Sequence, residues 1–401
     1  MVITQIKDCL TALHCIITQY LPAKIASKRR SQIKHSSIWI LSERPDEARD
    51  NAYHLYKYLK SKNPEIDVKY AINPHSNDAT RIDPNDIIPY GGKEHFQLLY
   101  RADVIASTDF GMGMPDSASS TLGGVAIRRH VRFLRPNAKF VFLQHGITHN
   151  NIRHAYQDKM CVDLFICGAK TEYKAIRSEF GYNENEVALT GFPRFDRLMT
   201  TVPQKRQVLF MPTWRAWLDD SFSESGFRNA IQEFLSSENL ATLLEEYSYT
   251  LLFYPHPRFQ MYTDLFETGS KNIVLAKQTE HDIQDLMLES ALFITDYSST
   301  AFDFAYMNKP VLYFQFDDMK FRAKHYSEGY FNYEVNGFGP VCPDLNSLLS
   351  ELKALLESGT NMSEMYRERV NNFFSLRDAC NCQRIYKAIS QCLNFDVDTR
   401  S

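Results

Sequence analysis

From Ile38 to Phe314 the chain repeats one pattern: a short apolar run rich in β-branched and aromatic residues, a polar turn, then a stretch that can wind back as a helix. Unbroken apolar runs suit strands covered on both faces, and strands separated by helices lie parallel, so the pattern restricts the chain to α/β layers. The expected strands are Ile38–Leu41, Val68–Ile72, Val104–Ser107, Phe140–Leu143, Leu164–Cys167 and Val187–Thr190. A second series comprises Val208–Met211, Thr250–Tyr254, Ile273–Leu275, Leu292–Thr295 and Val311–Phe314. Between the series, Thr200–Gln207 is polar, contains Pro203 and has no apolar periodicity, which marks it as a linker. The 401 residues suffice for about two domains. The expected architecture is two similar α/β domains facing each other across a cleft, residues 36–203 and 204–374, with an N-terminal segment 1–35 and a C-terminal segment 375–401.

Composition removes several classes. Hydrophobic residues at 44% against 23% charged exclude extended disorder, and a net charge of −3 lacks the positive field of a nucleic-acid binder. Eight cysteines without a Cys-x-x-Cys pair fit neither a disulfide scaffold nor a zinc site, which points to a reduced, cytoplasmic compartment. Cys161 and Cys167, flanking an apolar run, read as small buried hydrophobes. No stretch reaches the roughly 18 apolar residues of a membrane span, and no signal peptide is evident. Val2, Ile3, Ile6, Leu10, Leu13, Ile16, Ile17 and Tyr20 nevertheless form an apolar helical stripe, followed by Lys24, Lys28, Arg29, Arg30 and Lys34. The segment reads equally as an interfacial helix facing anionic lipid and as a docked terminal helix with a solvated basic linker.

Open α/β sheets bind ligands at the carboxyl ends of their strands. Ser298, Ser299 and Thr300 stand where a strand hands over to a helix, an arrangement suited to a phosphate or diphosphate, although a single hydroxyl there is commonly a helix cap. His256 and Arg258, set among Pro255 and Pro257, follow the strand Thr250–Tyr254 and can supply two cations or donors to the same diphosphate. Arg215 adds a permanent charge, while Trp214 and Trp217 read as core packing. His145, ahead of Gly146, is either a general base for an attacking hydroxyl or a satisfied core histidine. The spacing of His145, His149 and His154 does not suit a metal, and no dinucleotide fingerprint or phosphate loop is present.

Several blocks together, Pro212-Thr213-Trp214-Arg215, His256-Pro257, Thr295-Asp296-Tyr297-Ser298-Ser299 with Phe302-Asp303, Asn308-Lys309-Pro310 and Glu328 to Glu334, resemble the CDP-glycerol glycerophosphotransferase family of teichoic acid and capsule polymer synthases. Gln144-His145-Gly146 and Thr190 to Arg194 extend the resemblance into the first domain. The resemblance implies a GT-B architecture, two Rossmann-like domains with a C-terminal helix crossing back. It implies transfer of glycerol phosphate or a related alditol phosphate from a CDP-activated donor to a hydroxyl of a lipid-linked or growing polymer, with release of CMP. It further implies His145 and His256 as catalytic residues. Arg215, Arg258, Ser298, Ser299, Thr300 and Asp303 fall at the donor diphosphate and nucleotide site. No tightly bound cofactor and no metal are implied, and the enzyme would sit peripherally on the inner face of the cell membrane. Gln144 stands where the family often has Trp, and a Gln-His-Gly block also occurs in capsule transferases using CMP-activated acidic sugars. That donor class stays open, as does a non-catalytic nucleotide-binding regulatory module.

Overall fold

The structure, a computed structural model, describes residues 13–28, 36–115, 134–218 and 222–398. These residues fall into two compact units. The first runs to Ile147 and adds Arg153–Arg197 and the chain from Asp378; the second holds Thr148–Ile152 and Leu198–Arg377. The division at Arg197 lies just ahead of the expected linker, whose end already belongs to a strand beginning at Lys205.

In the first unit seven parallel strands, β1 (Ile38–Ser42), β2 (Asp67–Ile72), β3 (Ile87–Pro89), β4 (Val104–Ser107), β5 (Lys139–Phe142), β6 (Leu164–Cys167) and β7 (Val187–Leu189), lie in the order β3-β2-β1-β4-β5-β6-β7. In the second, β8 (Lys205–Phe210), β9 (Thr250–Phe253), β10 (Ile273–Leu275), β11 (Ser290–Thr295), β12 (Val311–Phe314) and β13 (Val341–Cys342) lie in the order β10-β9-β8-β11-β12-β13. Both orders turn back on the first strand, so each sheet has a switch point beside it, β1 against β4 and β8 against β11. The central strands are buried along nearly their whole length, which is why they read as continuous apolar runs. The sequence pattern missed β3 and β13. Both are edge strands of two or three residues, and β3 ends in Pro89, which suits an edge.

Several residues of the recognised blocks secure this frame. The buried Lys309 amine donates to the carbonyls of Met287, Leu288 and Ser290, satisfying the C-terminal end of the helix Ile283–Glu289. Burial lowers its pKa to about 8. Gly191 has φ +78°, and a Cβ there would run into Asn381 of the C-terminal helix Asn381–Asp398. Asp196 in turn accepts from the backbone N–H groups of Asn381 and Cys382, fixing that helix to the first unit.

Residues 13–28 are helical, with a π-helical turn at Ile16–Tyr20. Part of the expected lipid-facing stripe is docked instead: Tyr20 is fully buried, edge-on to Phe96 at 4.9 Å, and Ala23 is buried beside it. Lys24 is half-buried over the Tyr100 ring. Leu13, Ile17, Leu21 and Ile25, four residues apart, are 39–56% exposed and form a second apolar line on the open side. The stripe before Leu13, the side chain of Lys28, and Arg29, Arg30 and Lys34 lie outside the described residues. Among the described residues no helix is long and apolar enough to cross a membrane. Cys167 is buried as expected, whereas Cys161 is half-exposed at φ +50°.

Candidate active site

In the first unit, β5 ends at Phe142, and Leu143 and Gln144 lead to His145. Gln144 has φ +59°, an uncommon backbone conformation for a side chain that is not glycine. Its buried amide holds that turn by donating to the Ile166 carbonyl at 2.6 Å and to Glu172 at 3.0 Å. The Asn51 amide donates to the carbonyls of Gln144 and Leu143, and the Asn51 oxygen accepts from the Arg194 backbone N–H. The loop carrying His145 is therefore braced by residues that follow β1, β6 and β7.

His145 Nδ1 lies 2.5 Å from Asp50 Oδ2, and the other Asp50 oxygen takes the Arg194 guanidinium at 3.1 Å. The same Arg194 nitrogen donates to the His145 carbonyl. Burial alone would raise the Asp50 pKa, but Arg194 and His145 pull it below the ordinary carboxylate range. On the ring, desolvation of its inner side opposes protonation and the Asp50 carboxylate outweighs it, leaving the His145 pKa above the ordinary imidazole value. The His145 side chain is 64% exposed and that of Asp50 only 11%. A buried carboxylate thus fixes one ring nitrogen, while most of the ring stays exposed instead of packing into the core.

Asp50, Asn51 and Arg194 escaped the sequence reading as site residues. The available signal was position: Asp50-Asn51 opens the helix that follows β1, the strand at the sheet's switch point.

In the second unit the turns after β8 and β11 meet at Asp296. Its Oδ1 accepts from the backbone N–H groups of Thr213 and Tyr297, and its Oδ2 meets Arg215 at 2.8 Å. Arg215 also makes a two-pronged bond to Asp317, donates to the Thr213 carbonyl at 2.7 Å and has no exposed surface. The expectation that Arg215 meets the donor is therefore corrected: its charge is consumed by two carboxylates and a carbonyl in the interior. Asp303 is likewise buried, in the first turn of the helix Thr300–Tyr306.

Arg258 is exposed, and its guanidinium lies 3.9 Å from the centre of the Trp214 ring. Trp214 packs partly on the core, as expected, but it also carries this cation and meets His325 edge-on at 4.6 Å. Trp217 is core-packed under Lys320. His256 is half-buried, its ring 6.2 Å from Trp214, and its Nδ1 accepts from the Arg258 backbone N–H. The capping reading of the serine run holds at Ser298. Ser298 Oγ accepts from the Thr300 N–H and bonds the Thr300 hydroxyl, which is a cap, whereas Ser299 makes no side-chain cap.

His149 has a separate task. It is buried against Phe302, Phe331 and Tyr333, with Nε2 3.0 Å from the Tyr333 hydroxyl, while Asn150 bonds Arg322 and Asn151 pairs with Ser327. Gly329 lies so close to the His149 carbonyl that no Cβ fits. The block from Glu328 to Glu334 is the receptor for this segment. Among the described residues no group of three His, Cys, Asp or Glu side chains is disposed to hold a metal.

The chain matches the CDP-Glycerol:Poly(glycerophosphate) glycerophosphotransferase family over residues 23–391. It is 32% identical over 378 residues to the minor teichoic acid biosynthesis protein GgaB of Bacillus subtilis, an alignment covering 90% of this chain and 40% of that protein. To the teichoic acid poly(glycerol phosphate) polymerase of Staphylococcus epidermidis it is 26% identical over 228 residues, 53% of this chain and 30% of the relative. The chain thus spans less than half the length of either. A solved structure of the wall teichoic acid polymerase TagF matches with a TM-score of 0.69 at 18% identity, covering 98% of this chain and 99% of that one. The fold is the expected GT-B type. With a family match that runs through both sheets, the chain belongs to the CDP-Glycerol:Poly(glycerophosphate) glycerophosphotransferase family.

Proposed function

We propose that the protein transfers an alditol phosphate, in the first instance glycerol phosphate, from a CDP-activated donor to a hydroxyl of a growing or lipid-linked cell-surface polymer. The observation that carries this reading is the exposed His145 imidazole, oriented through Nδ1 by the buried Asp50–Arg194 pair. Nε2 takes the proton of the acceptor hydroxyl as its oxygen bonds the donor's distal phosphorus, and the bond from that phosphorus to the bridging oxygen breaks to release CMP. The negative charge that grows on the departing CMP calls for fixed donors. We assign that task to Arg258 on Trp214, to His256, and to the hydroxyls of Ser299 and Thr300, with Ser298 shaping the turn. Two relatives support the donor: the S. epidermidis protein is a poly(glycerol phosphate) polymerase, and a TagF variant was soaked with CDPG.

The exposed line Leu13, Ile17, Leu21 and Ile25 is our candidate for contact with an anionic membrane surface, where a lipid-linked acceptor is held. The test incubates the protein with CDP-glycerol and a soluble oligomeric acceptor and follows CMP release and product mass. Acceptor-dependent CMP with a matching mass increase is expected. CMP formed only from a CMP-activated sugar, or from no donor, overturns the reading. Serine at the four apolar positions should lower co-sedimentation with anionic liposomes while sparing transfer to the soluble acceptor.

A further inference from the structure

Glu43 immediately follows β1 and is 2% exposed. Its two carboxylate oxygens accept three backbone N–H bonds, from Arg49, Asp50 and Tyr53, each at 2.9 Å. These donors belong to the start of the helix Asn51–Lys62, whose N-cap residue is Asp50. An aspartate at that position ordinarily caps its own helix, folding its carboxylate back onto the helix N–H groups. Here Asp50 makes no such bond. Glu43 satisfies the helix end in its place, and the Asp50 carboxylate points instead to His145 and Arg194.

Helix capping alone does not call for this residue. A neutral oxygen caps as well, whereas Glu43 puts a second carboxylate beside Asp50. The repulsion is visible in its proton affinity: burial first, and the Asp50 charge second, push the Glu43 pKa up to about 7, against the pull of its three N–H donors. The groups facing it are the Tyr70 hydroxyl from β2 and Asp50 at the helix start; Asp78 from the turn Asn77–Arg81 acts on Tyr70 and is itself paired with Arg49 and Arg81. Across Asp50 lie His145 and Arg194.

We propose that Glu43 is the positioning residue of the Asp50–His145 pair, releasing the Asp50 carboxylate from helix capping and adding, in its ionised form, a negative charge behind it that strengthens His145 as a base. The inference rests on the proposed role of His145, and its main readout does not need the transfer reaction. Diethylpyrocarbonate modifies only the neutral imidazole, so the rate of His145 modification against pH, followed by peptide mass spectrometry, reports the proton affinity of that ring directly.

Glu43→Gln removes the charge and keeps an acceptor oxygen. It should move the His145 modification midpoint to lower pH by about half a unit or more, because a lost negative charge disfavours the imidazolium. Glu43→Ala should do the same. In the transfer assay with CDP-glycerol it should also lower kcat by roughly the 10–100-fold that outer-shell partners of functional histidines carry, with KM for the donor unchanged. An unchanged midpoint in folded Glu43→Gln overturns the proposal even if kcat falls, since Glu43 would then be only a helix cap. If Glu43→Ala does not fold, the Gln variant alone decides. A shifted midpoint in a protein that transfers nothing from CDP-glycerol upholds the link from Glu43 to His145 and defeats the proposed function instead.

Discussion

In the first unit the charged group that follows a strand stays open: the His145 side chain is 64% exposed and only its Nδ1 side is engaged. In the second, Arg215 follows β8 in the equivalent way and has no exposure, with Asp296, Asp317 and the Thr213 carbonyl surrounding its guanidinium. Both positions pair a base with carboxylates at a strand end, and they differ in how completely the pairing is closed. A charge in the interior survives only when its partners use up its hydrogen-bonding capacity, and a group so used has nothing left for a ligand. A half-paired group at the surface loses little by waiting for substrate. Closure, more than residue type, is what differs between the two positions.

The comparison breaks most directly at His145. His145→Ala should reduce acceptor-dependent CMP release by about 10²–10⁴-fold, the range for loss of a general base, with the thermal midpoint unchanged. Because the base must be neutral, the wild-type rate should rise with pH through a midpoint above the ordinary imidazole value, in line with the raised pKa. A folded His145→Ala protein that turns over normally removes the open side of the comparison.

The closed side is tested by Arg215→Met. Removing one partner strands the buried Asp296 carboxylate and leaves the half-buried Asp317 unpaired, which should cost about 3–5 kcal/mol in urea unfolding. If the variant is as stable as the parent and instead loses donor affinity, Arg215 is a ligand after all.

This distinction explains what was legible in the sequence. The central strands were visible because burial on both faces makes them apolar throughout, while Ile87–Pro89 and Val341–Cys342 are too short and too peripheral to show a pattern. His145 stands out because it follows the end of an apolar run by a single residue, Gln144, and precedes a glycine. Asp50 does not: it shares its turn with Arg44, Glu47 and Arg49, an ordinary solvated charge cluster in sequence, and its partner lies 95 residues further on. Arg215 misled for the converse reason. The carboxylates that neutralise it are 81 and 102 positions away, and no local signal shows that they meet it.

Arg258 tests whether closure also sorts residues within the second unit. It is exposed, and Trp214 supports its guanidinium from one face, leaving the N–H edge for a phosphate. Arg258→Ala should weaken binding of a CDP-type ligand by about 1.5–3 kcal/mol in calorimetry, the scale of a hydrogen bond to a charged group, with stability nearly unaltered. Unaltered affinity would take Arg258 off the donor site and leave its stacking on Trp214 as surface packing.

The smallest contrast lies between adjacent hydroxyls. Ser298 Oγ already accepts from the Thr300 N–H at 3.2 Å and bonds the Thr300 hydroxyl at 3.1 Å, so it is closed; the half-buried Ser299 makes no cap bond, so by the same criterion it is open. Ser298→Ala should therefore cost about 0.5–2 kcal/mol of stability, as loss of a cap does, with a minor change in donor affinity. Ser299→Ala should leave stability unchanged and weaken the donor by about 0.5–1.5 kcal/mol, the net worth of one neutral hydrogen bond. Both effects are within reach of paired thermal melts and calorimetry on the same preparations. If the two serines exchange these signatures, the bonds within the free protein do not determine which hydroxyl the donor uses, and the turn after β11 must rearrange when the donor binds.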